Sequence, residues 1–222
     1  MTELSAKPPR HYPTPAAKCA DLVVHVAGLT LALAGGGVLL GLALSQGSPG
    51  RVASVGVYAA ALLAMLGLST AYNFAKATWR PLLRRFDHAG IFLMIAGSYT
   101  PFTTQVLTGG WAIGMTVAVW TVALAGVAGK LLAPGLDRKF WVGVYLALGW
   151  LILVALKPLM HSAAWAALVL LALGGILYST GVIFYAARKL KFRRAIWHGH
   201  VIAAAGAHWT AVLVGVVLGA QH

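Results

Sequence analysis

Long apolar runs alternate with short polar stretches from residue 22 to the end of the chain. Seven runs come close to the roughly 20 residues that an α-helix needs to cross a bilayer, and turn residues and charges separate them. They predict helices near residues 22–44, 53–75, 87–107, 112–131, 140–156, 164–187 and 196–220. Because the connections are short, consecutive helices are expected to be antiparallel neighbours. The pattern therefore predicts an all-α integral membrane protein, a bundle of seven transmembrane helices.

The first 20 residues differ from the rest, since they are polar and include Pro13 and Pro15 among four prolines. Proline lacks a backbone N–H and interrupts regular helix, so this stretch is predicted to be an extended arm. The expected organisation is an N-terminal cytoplasmic arm over residues 1–21 and one seven-helix membrane domain over residues 22–222.

Composition agrees with the pattern, because 60% of the 222 residues are hydrophobic and only 9% are charged. Soluble domains carry roughly 25% charged residues, so a soluble globule is excluded. The charges are unequal, with 17 Lys and Arg against four acids. In a soluble chain this excess would suggest nucleic acid, but in a membrane protein it is typical of cytoplasmic loops. No nucleic-acid partner is expected.

Assigning the basic residues to alternate sides of the seven helices gives a 15 to 2 split, with only Arg51 and Lys157 on the minor side. The positive-inside rule then places the N-terminus in the cytoplasm and the C-terminus outside. A helical chain of this kind is expected in an inner (plasma) membrane rather than among outer-membrane β-barrels.

Ionisable side chains inside the helices are the candidates for function, because each is costly to place in lipid. Most of these side chains lie near the predicted cytoplasmic ends of the first, second, third and seventh helices. They would form one polar cluster if the four helices are adjacent. The polar candidates are Asp21, His25, Ser69, Asn73, Asp87, His88, Arg194, His198 and, about 15 Å deeper, His208. Ordinary hydrogen bonds between helices are the alternative explanation.

A zinc ion could bind in this cluster, since a catalytic site needs three protein ligands and an open position. His198 and Asp87 are two candidate metal ligands, and His25 or His88 would be the third. Two neighbours oppose the ion. Asn73 is a poor, neutral ligand, and Arg194 lies one helical turn from His198 with a fixed positive charge.

Several sequence blocks carry a family resemblance. They are ADLVVHVAGL (residues 20–29), STAYN (69–73), RRFDHAGIFLMIAGSYTPF (84–102) and IWHGHVIAAAGAHW (196–209). In these blocks the chain resembles the haemolysin III branch of the progestin and adipoQ receptor family. The resemblance implies seven helices with the N-terminus inside. It also implies kinship with alkaline ceramidases, in which a Ser-x3-His, an Asp and a His-x3-His form an intramembrane zinc site.

Carried over residue by residue, the serine is Ser69, the aspartate Asp87 and the last histidine His198. Two positions depart from the pattern, because Asn73 and Arg194 stand where the family keeps zinc-binding histidines. The site is therefore predicted to be degenerate. One hypothesis is that Arg194 replaces the charge of the metal by pairing with Asp87 and hydrogen-bonding to Asn73.

Three functions follow from these residues. The favoured one is a non-catalytic membrane protein that binds an acyl chain or lipid, or modulates membrane homeostasis. The first alternative is a zinc-dependent lipid amide hydrolase, with Asp87 as the base and Ser69 positioning the substrate. The second alternative is a pore-forming cytolysin. Whether the protein is an enzyme stays open at this point.

Overall fold

A computed structural model describes residues 11–133, 135–187 and 189–219, and this part of the chain is helical without strands. The helices are α1 (Pro15–Ser45), α2 (Pro49–Phe74), α3 (Arg80–Gln105), α4 (Gly109–Leu132), α5 (Arg138–Gly149), α6 (Leu156–Ser162), α7 (Trp165–Ala186) and α8 (Arg193–Val212). The prediction of an all-α bundle is confirmed.

The fifth predicted helix is interrupted. Here α5 and α6 are joined by a 3-10 segment, Leu151–Ala155, and the whole run Arg138–Ser162 acts as one span. The last helix continues from α8 into a π turn, Leu213–Val217. With α5 and α6 counted as one segment, the described residues form seven helical segments, as predicted.

Helix α1 begins seven residues earlier than the pattern indicated. Thr14 caps it by accepting a hydrogen bond from the Ala17 amide over 3.2 Å, and Pro15 occupies the first turn. Proline is tolerated there because the first amides of a helix have no partner within the helix. The expectation of an extended arm up to residue 20 is therefore wrong for residues 15–20, and residues 1–10 lie outside the described part.

Six of the seven segments are long and apolar enough to cross a membrane, and α3 is the exception. Its 26 residues include Arg84, Arg85 and Asp87. Helix α3 nevertheless packs against both α2 and α4, and its buried residues lie between Ala89 and Thr103, whereas Arg84 in its first turns is exposed. Helix α3 is long enough to cross a bilayer, and it stays a predicted span on that length alone.

Helix α1 packs against α2 and α8, α2 against α3, and α3 touches α8. The first, second, third and last segments are thus neighbours, which is the arrangement that the polar cluster requires. The fifth span packs on α3 and α4, while α7 packs closely on α8.

Two glycines explain close approaches between helices. A methyl group added at Gly97 in α3 would lie 2.4 Å from the Cβ of Ala61 in α2. A methyl group at Gly174 in α7 would lie 2.2 Å from the His208 ring in α8. Small residues let helices approach where lipid supplies no hydrophobic drive for association.

Candidate functional site

The N-terminal ends of α1 and α8 meet at a buried carboxylate, Asp21. His198 Nδ1 lies 2.6 Å from Asp21 Oδ1, and the Tyr12 hydroxyl donates to Asp21 Oδ2 over 2.5 Å. Asp21 is fully buried. A buried carboxylate needs donors or a cation, and these two side chains supply them.

His25 lies one helical turn after Asp21 and adds a second imidazole beside His198. Its Nδ1 donates to the backbone carbonyl of Asp21 over 2.8 Å, so its Nε2 carries the lone pair. The Nε2 atoms of His25 and His198 each lie 3.4 Å from Ser69 Oγ in α2. Two imidazole nitrogens therefore face one hydroxyl, which has a single proton to donate.

Arg194 lies at the start of α8 and fills the neighbouring space. Its Nη1 donates to Asn73 Oδ1 over 3.1 Å, and Asn73 Nδ2 donates in turn to the Ser69 carbonyl over 3.0 Å. Arg194 Nε also donates to the His11 carbonyl over 3.3 Å. The two positions that depart from the family pattern thus contact each other directly.

The segment before α1 covers this end of the bundle. His11 Nε2 lies 3.2 Å from Asn73 Oδ1, and His11 Nδ1 lies 3.3 Å from Arg194 Nη2. These contacts require a neutral His11 that donates at Nε2 and accepts at Nδ1. Burial and the Arg194 charge lower the pKa of His11 to about 4. Burial and the hydrogen bond to Asp21 raise the pKa of the Tyr12 hydroxyl.

The predicted residues Asp87, His88 and His208 lie elsewhere around the same space. Asp87 interacts electrostatically with His198 and Arg194. Within the described residues, however, both ion pairs closer than 4.0 Å involve Asp21 rather than Asp87. The expected hydrogen bond between Arg194 and Asn73 is confirmed, whereas the expected close pairing of Arg194 with Asp87 is wrong.

One cavity is lined by eight of these side chains, which are His25, Ser69, Asn73, Asp87, His88, Arg194, His198 and His208. It has a volume of about 590 Å³ and is bounded by α2, α3, the fifth span, α7 and α8. Its walls are mainly Leu, Ile, Met and aromatic side chains, and the polar cluster forms one end. His208 and Tyr178 line it further along. A mostly apolar cavity with a few convergent polar groups is typical of a small-molecule site.

Two groups of residues are candidates for holding a metal ion. The site around positions 73 and 194 does not fit a dication, because the permanently charged guanidinium of Arg194 lies there and donates to Asn73 over 3.1 Å. A different group, Asp21, His25 and His198, has ligand atoms within 4.8 Å of one another. This group contains two predicted residues and replaces Asp87 by Asp21.

Sequence reasoning gave Asp21 no role as a ligand and gave none at all to His11 and Tyr12. The spacing Asp21-x3-His25 places both side chains on one helical face and was an available signal for Asp21. The roles of His11 and Tyr12 depend on how the segment before α1 folds over α2 and α8, which no local pattern encodes.

Comparison with known proteins places this chain in context. Residues 19–209 match the family model described as haemolysin-III related. A hemolysin-3 homolog of Bacillus subtilis (strain 168) is 34% identical over 195 residues, covering 87% of this chain and 92% of that protein. Hemolysin-3 of Bacillus cereus is 33% identical over 201 residues, covering 89% and 91%. The human monocyte to macrophage differentiation factor is 27% identical over 165 residues, covering 70% and 67%.

Proposed function

We propose, from the premise that this chain belongs to the haemolysin III family, that its cavity binds the acyl chain of an anionic amphiphile without turning it over. The single observation that carries this proposal is the cavity of about 590 Å³, apolar along its walls and polar at one end. That volume lies within the 300 to 1,000 Å³ typical of ligand pockets.

The charge of the lining favours an anionic head group. The basic side chains around the cavity are Arg84, Arg85, Lys130, Arg138, Arg193 and Arg194. Among the described lining residues, Asp87 is the one carboxylate. A carboxylate or phosphate would find complementary charge at this end, while its hydrocarbon chain would lie against the apolar walls.

Arg194 supports a role without metal catalysis. Its guanidinium contacts Asn73, so a fixed organic cation stands in the space where the family pattern would hold zinc. Unlike a zinc-bound water, a guanidinium stays protonated and offers no nucleophile. Binding and retention of a lipid, rather than its hydrolysis, is the chemistry that this end supports.

The polar end is proposed to face the cytoplasm of a bacterial inner membrane. The 15 to 2 distribution of basic residues supports that orientation by the positive-inside rule. The C-terminus would then be outside. Two Bacillus relatives at 33 and 34% identity support a bacterial setting.

A zinc-dependent lipid amide hydrolase is the second candidate. The observation in its favour is the group Asp21, His25 and His198, whose ligand atoms lie within 4.8 Å of one another. If these residues held a zinc ion, it would supply an activated water near Ser69 and Asp87.

The proposal is tested by extracting the purified full chain and measuring co-purified fatty acids by mass spectrometry. We expect about one acyl chain per protein molecule. Ala172→Phe, which places a ring in the cavity, should lower that content several-fold. Ala118→Phe, on the exposed surface of α4, is the matched control and should retain it.

Equal acyl content in the two variants would contradict the proposal. Steady release of fatty acid from ceramide by the unmodified protein would favour the hydrolase instead.

A further inference from the structure

Two buried polar atoms in the cavity have no hydrogen-bond partner in the described part of the chain. They are the hydroxyl of Tyr178 in α7 and Nδ1 of His208 in α8. Their rings face each other edge to face with centroids 5.6 Å apart. The His208 ring also interacts with the backbone of Leu171, which leaves Nδ1 unused.

Unpartnered polar atoms of this kind need an explanation. Leaving a buried donor or acceptor unsatisfied costs about 1–3 kcal/mol, and folded proteins almost always supply a partner from protein, water or ligand. Both side chains line the same cavity. A molecule inside that cavity could satisfy both atoms at once.

Packing fixes the position of the pair. His208 lies directly against Gly174, where an added methyl group would be 2.2 Å from the ring. Glycine at that position lets the imidazole approach α7 closely, beside the Tyr178 ring. The two polar atoms are thus held on rigid helices rather than on loops.

The pair lies far from the charged end of the cavity. His208 follows His198 by ten residues in one helix, which corresponds to roughly 15 Å along the axis. A ligand whose head group meets Arg194 would pass Tyr178 and His208 near the middle of an extended chain. The apolar walls between the two ends suit hydrocarbon.

We propose that Tyr178 and His208 form a second polar subsite, which binds a hydroxyl or carbonyl oxygen borne mid-chain by an amphiphile anchored at the Arg194 end. The Tyr178 hydroxyl donates to that oxygen. Because the His208 ring bonds to the Leu171 backbone through its other nitrogen, Nδ1 is the acceptor, and it accepts from the ligand where that oxygen is a hydroxyl. The preferred ligand is therefore an oxygenated fatty acid or lipid rather than a plain one. This inference rests on the proposed lipid-binding function.

Oleate and ricinoleate are a matched pair of probes, because ricinoleate is oleate with one hydroxyl near the middle of its chain. Binding of each to the full chain in detergent micelles is followed by tryptophan fluorescence, since Trp141, Trp150 and Trp197 line the cavity. One additional hydrogen bond should make ricinoleate bind about 3- to 10-fold more tightly.

Tyr178→Phe removes the hydroxyl alone and should abolish this preference, so that the two probes bind the variant with equal affinity. His208→Phe should reduce the preference in the same direction. Tyr185→Phe removes a hydroxyl elsewhere in the cavity lining and should preserve the ratio between the two probes.

The outcomes separate the two proposals. If both fatty acids bind equally, the pair holds only water, and the subsite is refuted while the lipid cavity stands. A preference that survives in Tyr178→Phe also refutes the subsite. If neither probe binds, the lipid-binding function and the subsite fall together.

Discussion

Arg194 Nη1 donates a hydrogen bond to Asn73 Oδ1 over 3.1 Å, which joins the two positions where the resemblance to the ceramidase-type zinc site would place histidines. The two substitutions are physically complementary. Asparagine offers a neutral acceptor to the guanidinium and, unlike a histidine, cannot become a second cation beside it. Substitutions at Asn73 and Arg194 should therefore change the metal content of the site.

The first prediction concerns metal content. Protein purified without chelators should contain less than about 0.1 zinc per chain, because the Arg194 charge opposes a dication at the family positions. Restoring both histidines with Asn73→His and Arg194→His should raise the content to about one ion per chain, measured by atomic emission.

His198→Ala in that restored background is the control and should remove the ion again. Stoichiometric zinc in the unmodified protein would overturn the replacement of metal by arginine. In that case His25→Ala would identify whether the ion uses the Asp21, His25 and His198 group.

The second prediction concerns Asp21. Two donors, His198 Nδ1 and the Tyr12 hydroxyl, contact its two carboxylate oxygens at 2.6 and 2.5 Å. Asp21→Asn leaves one acceptor for two donors and should lower the free energy of unfolding by about 1.5–3 kcal/mol. The effect is measured by thermal unfolding in detergent. Asp137→Asn, an exposed acid in the loop before α5, should change stability little.

The third prediction is a pH dependence from His11. Its pKa falls from the ordinary value of 6.5 to about 4 in the folded protein, because of burial and the charges of Arg194 and Arg80, with Asp21 acting in the opposite direction. The unfolded chain binds this proton more readily, so the stabilisation is complete above pH 6.5 and is lost as the pH falls towards 4.

Because His11 is only half-buried, the loss should be about 1–2 kcal/mol, discounted for screening by solvent. Unfolding temperatures measured between pH 7 and pH 4 should decline more steeply for the unmodified protein than for His11→Gln. Parallel curves for the two proteins would exclude His11 as the source.

The fourth prediction concerns helix packing at Gly97. Gly97→Ala would bring a methyl group within 2.4 Å of Ala61, so α2 and α3 must separate. Overpacking of this kind costs about 1–3 kcal/mol and should lower the unfolding temperature. Gly114→Ala in α4, where nothing lies within 4 Å of the new methyl, is the control and should be neutral or slightly stabilising.

The fifth prediction addresses the pore alternative, which the names of the Bacillus relatives raise. Because the cavity walls are mainly apolar and the charged groups collect at one end, the protein should not form an aqueous path. Purified protein reconstituted into dye-loaded liposomes should release no more dye than empty liposomes. Rapid release that scales with protein would support the cytolysin.

The site itself was only partly predictable. His198, His25, Ser69 and Asn73 were identified because polar residues at i and i+4 in apolar helices stand out against their surroundings. Asp21 stands out as polar, yet Asp87 is the predicted metal ligand, since both its place in the polar cluster and the family resemblance point to it. The contacts of Tyr12 and His11 join residues far apart in sequence.

The sequence by itself determined the helices and the class of protein, because the hydrophobic period and length of each segment are local properties that a bilayer selects directly. It also determined which polar residues had to be explained. Only the tertiary structure decided that Asp21 rather than Asp87 meets His198, that Arg194 reaches Asn73, and that Tyr178 and His208 share a cavity. Those outcomes depend on the rotation and depth of each helix against its neighbours, and packing between side chains fixes these rather than the pattern within any one helix.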